Sequence, residues 1–192
     1  GAQTAHDRWG AFWVVMGALS VRSIVFYGVT SFVPLFMVAT FGMGQGSASA
    51  LITVFSLAGA VATAMSGLAS HKVSVPGLMA GGFCLIGGAV LVFVLCQNLV
   101  LCVAMLMLIA VGTNIFNPPA VALSQSYLPA HLGMASGLSF GVAVAVGGVV
   151  SPLLGTVGDA LGLAPVLLLL AAFSLVGLVC SLAAMRIEKK RQ

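Results

Sequence analysis

The residue best placed to do chemistry in this chain is Arg22, a single cation inside an apolar run from Ala11 to Thr40. An ionisable group at bilayer depth costs at least about 2.5–3.5 kcal/mol, so it marks a functional site by default. A guanidinium cannot be neutralised, so it requires a carboxylate, carbonyls, water or a bound anion. The acidic residues are Asp7, Asp159 and Glu188, and none lies within a hydrocarbon-length stretch. The sequence therefore points to a partner outside the chain, or to an anionic or zwitterionic substrate. Snorkelling to the cytoplasmic interface is the competing reading, across about 15 Å of helix from Phe12.

A second constellation lies further along. Asn114, Asn117, Val121 and Gln125 share a helix face, with Pro118 and Pro119 between them. Each proline removes a backbone donor and frees the carbonyl four residues earlier, at Asn114 and Ile115. Freed carbonyls and amides at membrane depth need partners or water, so this face is expected to line a cavity or a neighbouring helix. In the first run, Ser20, Ser23, Tyr27, Ser31 and Pro34 form a polar face around Gly28. Arg22 stands about 140° from Tyr27 at ~100° per residue. It points at a neighbouring element unless the helix is distorted.

Other chemistries are poorly supplied. His6, His71 and His131 fall in segments expected to be cytoplasmic, so Ser136 in Met134-Ala-Ser-Gly137 has no histidine base at depth. The first glycine of an intramembrane serine protease's Gly-x-Ser-Gly loop is missing too. A lone Asn117-Pro118-Pro119-Ala120 is not the pair of Asn-Pro-Ala half-helices that a water channel needs. Cys84, Cys96, Cys102 and Cys180 show no metal or redox spacing and read as small apolar packing residues. A Cys96–Cys102 bridge is conceivable but not expected. Neither an enzyme, a metal nor a cofactor is expected.

What must position these residues is a membrane bundle. The chain is 61% hydrophobic and 5% charged, whereas a soluble domain is about 25% charged. Six apolar runs emerge: roughly Ala11–Thr40, Gly46–Ala69, Gly77–Cys96, Leu99–Tyr127, Leu132–Val157 and Ala164–Met185. Each reaches the ~20 residues of a spanning helix. Almost nothing is left for loops, so no extramembrane domain is expected across residues 1–192. The first run is far longer than a signal peptide's ~7–15-residue apolar core. The chain starts Gly1-Ala2-Gln3 and is read as processed or cut.

With alternating spans, Arg8, Lys72, Arg186, Lys189, Lys190 and Arg191 fall on one face of the membrane. The positive-inside rule then makes both termini cytoplasmic in the inner membrane, with residues 187–192 as a basic tail against anionic headgroups. The formal charge of +4 does not suggest a nucleic-acid partner.

The chain also matches itself. Gly59-Ala-Val-Ala-Thr-Ala-Met-Ser-Gly67 lines up with Gly147-Gly-Val-Val-Ser-Pro-Leu-Leu-Gly155, displaced by close to half the chain. This predicts two three-helix repeats, about 9–97 and 98–186. Since three is odd, the second enters the bilayer inverted, an arrangement common in secondary transporters. Small residues form two lines, Ser49, Thr53, Ser56, Ala60, Thr63 and Gly67 in the second run, and Gly133, Gly137, Gly141 and Ala145 in the fifth. Both read first as lines of close helix packing. The third and sixth runs carry almost no polar side chains, which suits outer, lipid-facing positions.

Gly155-Thr-Val-Gly-Asp159-Ala-Leu-Gly162 is similar to the glycine–aspartate–glycine loop of the major facilitator superfamily. Gly67-Leu-Ala-Ser-His71-Lys72 resembles its weaker counterpart, with His71 and Lys72 where the family has Asp-Arg. The whole chain resembles the carboxy-terminal six-helix half of such a transporter. Within the superfamily, Arg22-Ser-Ile-Val-Phe-Tyr27-Gly-Val-Thr-Ser-Phe-Val-Pro34, Gln125-Ser-Tyr-Leu-Pro129 and Gly133-Met-Ala-Ser-Gly137-Leu resemble the fosmidomycin-resistance efflux group.

The resemblance implies helices seven to twelve of a twelve-helix fold that rocks against an amino-terminal half. Arg22, Tyr27, Asn114, Asn117 and Gln125 would then line the central cavity. Gly67, His71, Lys72, Gly155 and Asp159 would form gating loops. Efflux members of the family are typically proton antiporters and include multidrug-resistance proteins. The acid such coupling needs is expected in the amino-terminal half. A homodimer with a second copy and a non-transporting scaffold are the alternatives, with a channel less favoured.

Overall fold

The structure, a computed structural model, describes residues 7–189. His6 and the Lys190–Arg191 end of the expected tail lie outside them. Gly42 adopts φ +63°, which side-chain-bearing residues avoid, and its N–H closes α1 (Trp9–Phe41) on the carbonyl of Val38. α2 (Gln45–Lys72) stops where Val73 turns extended. Ser74 and Pro76 then open α3 (Val75–Leu95). The Asn98 side chain accepts from the N–H groups of Val100 and Leu101 at 2.9 and 3.3 Å, capping α4 (Leu99–Asn114).

The fourth span is two helices. α4 ends at Asn114, and α5 (Asn117–Ser126) resumes beyond a turn at Ile115–Phe116. Pro118 and Pro119 sit in the first turn of α5, where a missing N–H is tolerated. A 3₁₀ turn at Pro129–His131 leads to α6 (Leu132–Leu161), and Gly162, at φ +90°, separates it from α7 (Leu163–Lys189). The fold is all-α, with six spans long and apolar enough to cross a membrane.

α1 packs chiefly on α6 and α7, α4 on α2 and α3, and α3 on α7. The first span of each three-helix unit thus packs on the later helices of the other. The leading glycines of the two matching stretches both lie at close helix contacts. A Cβ at Gly59 of α2 would meet Asn114 Nδ2 at 2.6 Å, and one at Gly147 of α6 would meet Tyr27 Cδ2 at 2.6 Å and the Ser23 carbonyl at 2.8 Å. Only glycine admits such approach, so each one locks a polar residue of the other unit's leading span.

The small-residue lines face outward and pack on no described helix of this bundle. Every residue of Ser49, Thr53, Ser56, Ala60, Thr63 and Gly67 is exposed, as are Gly133, Gly137, Gly141 and Ala145. A Cβ at Gly67, Gly133, Gly137 or Gly141 would meet nothing within 4 Å. The packed lines are their neighbours: Gly59, Ala62 and Ser66 on α2, and Ala135, Ser139, Ala143 and Gly147 on α6. Both helices are small on two faces, and periodicity alone cannot say which face turns inward. α3 and α7 meet through their inner sides and turn Leu91, Val92, Leu175, Val176 and Val179 outward.

The gating stretches are helix, not loop. Gly67, His71 and Lys72 lie in the last turns of α2, and Gly155 and Asp159 in the last turns of α6. The cause is visible in the caps: Val73 N–H still reaches Ala69 O, and Gly162 N–H still reaches Gly158 O. Likewise α7 stays helical to Lys189, so residues 187–189 are not a loose tail. At this basic end the elements are tied together. Arg8 N–H donates to Tyr127 O at 2.8 Å, Tyr127 Oη donates to Glu188 Oε1 at 2.8 Å, and His131 Nδ1 pairs with Asp7 Oδ2 at 2.6 Å.

Candidate functional site

Arg22 projects from α1 onto the broken end of α4. Its Nε donates to the Thr113 carbonyl at 2.9 Å and its Nη2 to Asn114 Oδ1 at 3.0 Å. Its guanidinium carbon lies 5.0 Å from the centre of the Phe26 ring, within cation–π range. The last carbonyls of a helix have no intrahelical partner and carry its negative pole, so a fixed cation suits this spot. The expectation that Arg22 finds its partner outside the chain is therefore corrected, and so is the snorkelling alternative. Its partners are a carbonyl and an amide of α4, which the search for carboxylates passed over.

The acceptors are themselves held. Asn114 Nδ2 donates to Ala110 O at 2.8 Å and to Thr113 Oγ1 at 3.1 Å, and Thr113 Oγ1 donates to Ile109 O at 2.8 Å. Asn114 is wedged against Gly59. This arrangement clamps α1 to α4 through charge-assisted bonds, roughly twice as strong as neutral ones, with α2 packed against Asn114 at Gly59.

Among the described residues Arg22 Nη1 makes no hydrogen bond, and Arg22 lines a cleft of about 50 Å³ with Ser23, Asn117, Ser139 and Phe140. Asn117, Val121 and Phe140 also line an adjoining groove of about 280 Å³ that runs along α5 past Pro118 to Gln125. Gln125 Nε2 donates to Ser136 Oγ at 3.1 Å, and the Ser124 and Ser139 hydroxyls are 2.8 Å apart, so α5 and α6 are pinned on either side.

Of the expected cavity residues, Arg22, Asn117 and Gln125 come together on these two clefts, with Asn114 behind them as the acceptor for Arg22. Tyr27 does not. Its ring packs on Gly147 and, edge to face, on Phe26, because α1 turns its serine and tyrosine face against α6. The two gating stretches stand at opposite ends of antiparallel helices and do not meet. Sequence reasoning missed Thr113, Ser139 and Phe140. Ser139 and Ala143 fall at four-residue spacing with Ala135 and Gly147, a signal that was present but overshadowed by the glycine line beside it.

A six-span bundle with a broken, arginine-capped fourth span is now defined, and a family model decides its class. The model of the Major Facilitator Superfamily matches residues 10–192. The chain belongs to the Major Facilitator Superfamily. No curated protein matches it. Members of this superfamily are transporters, not enzymes, so the bundle is an integral membrane domain of a secondary transporter, surrounded by lipid.

Proposed function

We propose that this bundle is the carboxy-terminal half of a proton-coupled efflux transporter for a small anionic or drug-like molecule. It works by alternating access with an amino-terminal half, on the same or a separate chain. The observation that carries the reading is Arg22 beside a cleft between α1, α5 and α6, which it lines with Ser23, Asn117, Ser139 and exposed Phe140. The outward small-residue lines of α2 and α6 support it, since such lines in membranes serve close helix contact, and a second half is the natural occupant. A second copy in a homodimer would use the same faces.

In this reading the basic end is cytoplasmic, as are both termini, and the membrane is the inner one. The coupling acid belongs to the other half, because Asp7, Asp159 and Glu188 sit at helix ends. The ends of α2 (Gly67, His71, Lys72) and α6 (Gly155, Asp159) act as gates on opposite sides. The test is reconstitution with and without an amino-terminal half, following proton flux as a panel of small anions is added. Coupled flux is expected only with both halves present, and is lost in Arg22→Met. Robust coupled flux from the six-helix chain alone, or full activity in Arg22→Met, would overturn the proposal.

A further inference from the structure

The clefts beside Arg22 constrain the solute more narrowly than its charge alone. Arg22 spends its Nε and one Nη2 hydrogen on Thr113 and Asn114, so the side-on edge of the guanidinium is filled by the protein. What remains is the end-on edge, Nη1 with the second Nη2 hydrogen. Two parallel N–H donors spaced in this way match the two oxygens of a carboxylate. Among the described residues the Asn117 amide makes no side-chain hydrogen bond either, and it lines the same cleft. A space of about 50 Å³ holds a few waters or one carboxylate group. It does not hold a whole metabolite.

Charge sets a second limit. Among the described residues Arg22 is the only cation lining either cleft. A dianionic group there would keep one charge buried and uncompensated, which is strongly unfavourable. The adjoining groove of about 280 Å³ is walled by Pro118, Val121, Ala122 and Phe140, with two polar side chains, Asn117 where it meets the cleft and Gln125 further along. Its walls favour an apolar body. The two spaces lie side by side along α5 and α6 and share Asn117, Val121 and Phe140; joined across those residues they would form one channel.

We propose that this channel is a binding site for amphipathic monocarboxylates, with the carboxylate end-on against Arg22 and Asn117 and an aryl or short alkyl body along Pro118, Val121 and Phe140. The proposal rests on the reading of this bundle as a solute-handling domain, and it specifies the solute. It also gives the Arg22 clamp a role: the bonds to Thr113 and Asn114 hold the guanidinium in place beside the cleft.

The test is NMR of the full chain, arginine-labelled with ¹⁵N and held in lipid nanodiscs. The four arginines, Arg8, Arg22, Arg186 and Arg191, are few enough to assign. Phenylacetate is expected to shift the Arg22 side-chain signals saturably and leave the other three unmoved. Phenylacetamide should shift none, and phenylphosphonate as the dianion should bind at least about tenfold more weakly, given the unpaired charge. Asn117→Leu fills the cleft without touching the clamp, so it should weaken phenylacetate at least about tenfold while the unliganded Arg22 Nε signal stays in place. Equal shifts from the amide, tighter binding of the dianion, or unchanged phenylacetate binding in Asn117→Leu would each overturn the proposal. Binding is read here without flux, so a protein that binds phenylacetate but moves no proton would sink the transport reading and leave this site standing.

Discussion

Two outward surfaces of this bundle differ in kind. The α3/α7 side turns out Leu91, Val92, Leu175, Val176 and Val179, side chains as apolar as acyl chains. The α2/α6 side presents hydroxyls, alanines and glycines along one stripe of each helix, with Leu57, Val61 and Leu68 beside the α2 stripe. Lipid offers no reason to keep a helix small on its outward face, whereas close backbone approach of another helix does. On α6 the contrast is sharpest, since Ala135, Ser139, Ala143 and Gly147 already serve the contact with α1, while Gly133, Gly137 and Gly141 repeat the pattern on the other side. The proposed second half would cover this glycine line, which runs beside exposed Phe140 and Val144.

The largest effect that can break this comparison is expected at a glycine of the packed line. Gly147→Val would push a Cβ into the Ser23 backbone, at 2.8 Å, where nothing flexible can yield. A cost of about 1–3 kcal/mol or more is expected, seen as a clear drop in the thermal midpoint of the purified chain. Gly141→Val, on the outward line, should leave that midpoint within experimental scatter. If both variants melt alike, the assignment of inner and outer faces is wrong.

Next comes Arg22. Arg22→Met strands the Thr113 carbonyl and the Asn114 amide oxygen, and loss of hydrogen bonds to a charged group costs about 1.5–3 kcal/mol. Faster proteolysis or exchange at the α4–α5 break is the expected readout. Arg22→Lys, which keeps the charge but not the fork, should recover only part of it.

The outward stripe is tested by bulk. Gly137→Leu with Gly141→Leu should abolish co-purification with an amino-terminal half, while Leu175→Ala and Val179→Ala leave it intact. The last pair should shift stability by no more than about 0.5 kcal/mol, as substitutions away from packed features do. The exposed Asp7–His131 pair at the basic end sits at the small end of the series. His131→Ala should cost about 0–1 kcal/mol, measured by the same melts.

The spans were legible because about twenty apolar residues leave no other solvent than lipid, and turns this short leave little freedom at their ends. The break in the fourth span was legible from Pro118 and Pro119, although it opens at Ile115–Phe116, just before them. The matching stretches drew attention to Gly59 and Gly147, and both lie at close helix contacts. What stayed hidden needed three dimensions. The partner of Arg22 is a main-chain carbonyl, which every residue has and no sequence marks. Tyr27 and Arg22 share a helix but not a cleft, because α1 is covered by α6 on one side and by α4 and α5 on another. Two small-residue lines about 100° apart on α2 look alike until their neighbours are known.

The account stands on water reaching the Arg22 cleft while the α3/α7 side meets lipid. The direct measurement is thiol labelling in the membrane, with Cys96, Cys102 and Cys180 replaced and Cys84, which lines the α3–α7 groove, left as the lipid-side reference. In Asn117→Cys, a charged, membrane-impermeant maleimide should modify position 117 and leave Cys84 unmodified, whereas a lipophilic maleimide should reach Cys84. Modification of Cys84 by the charged reagent, with position 117 inert to it, would contradict the account.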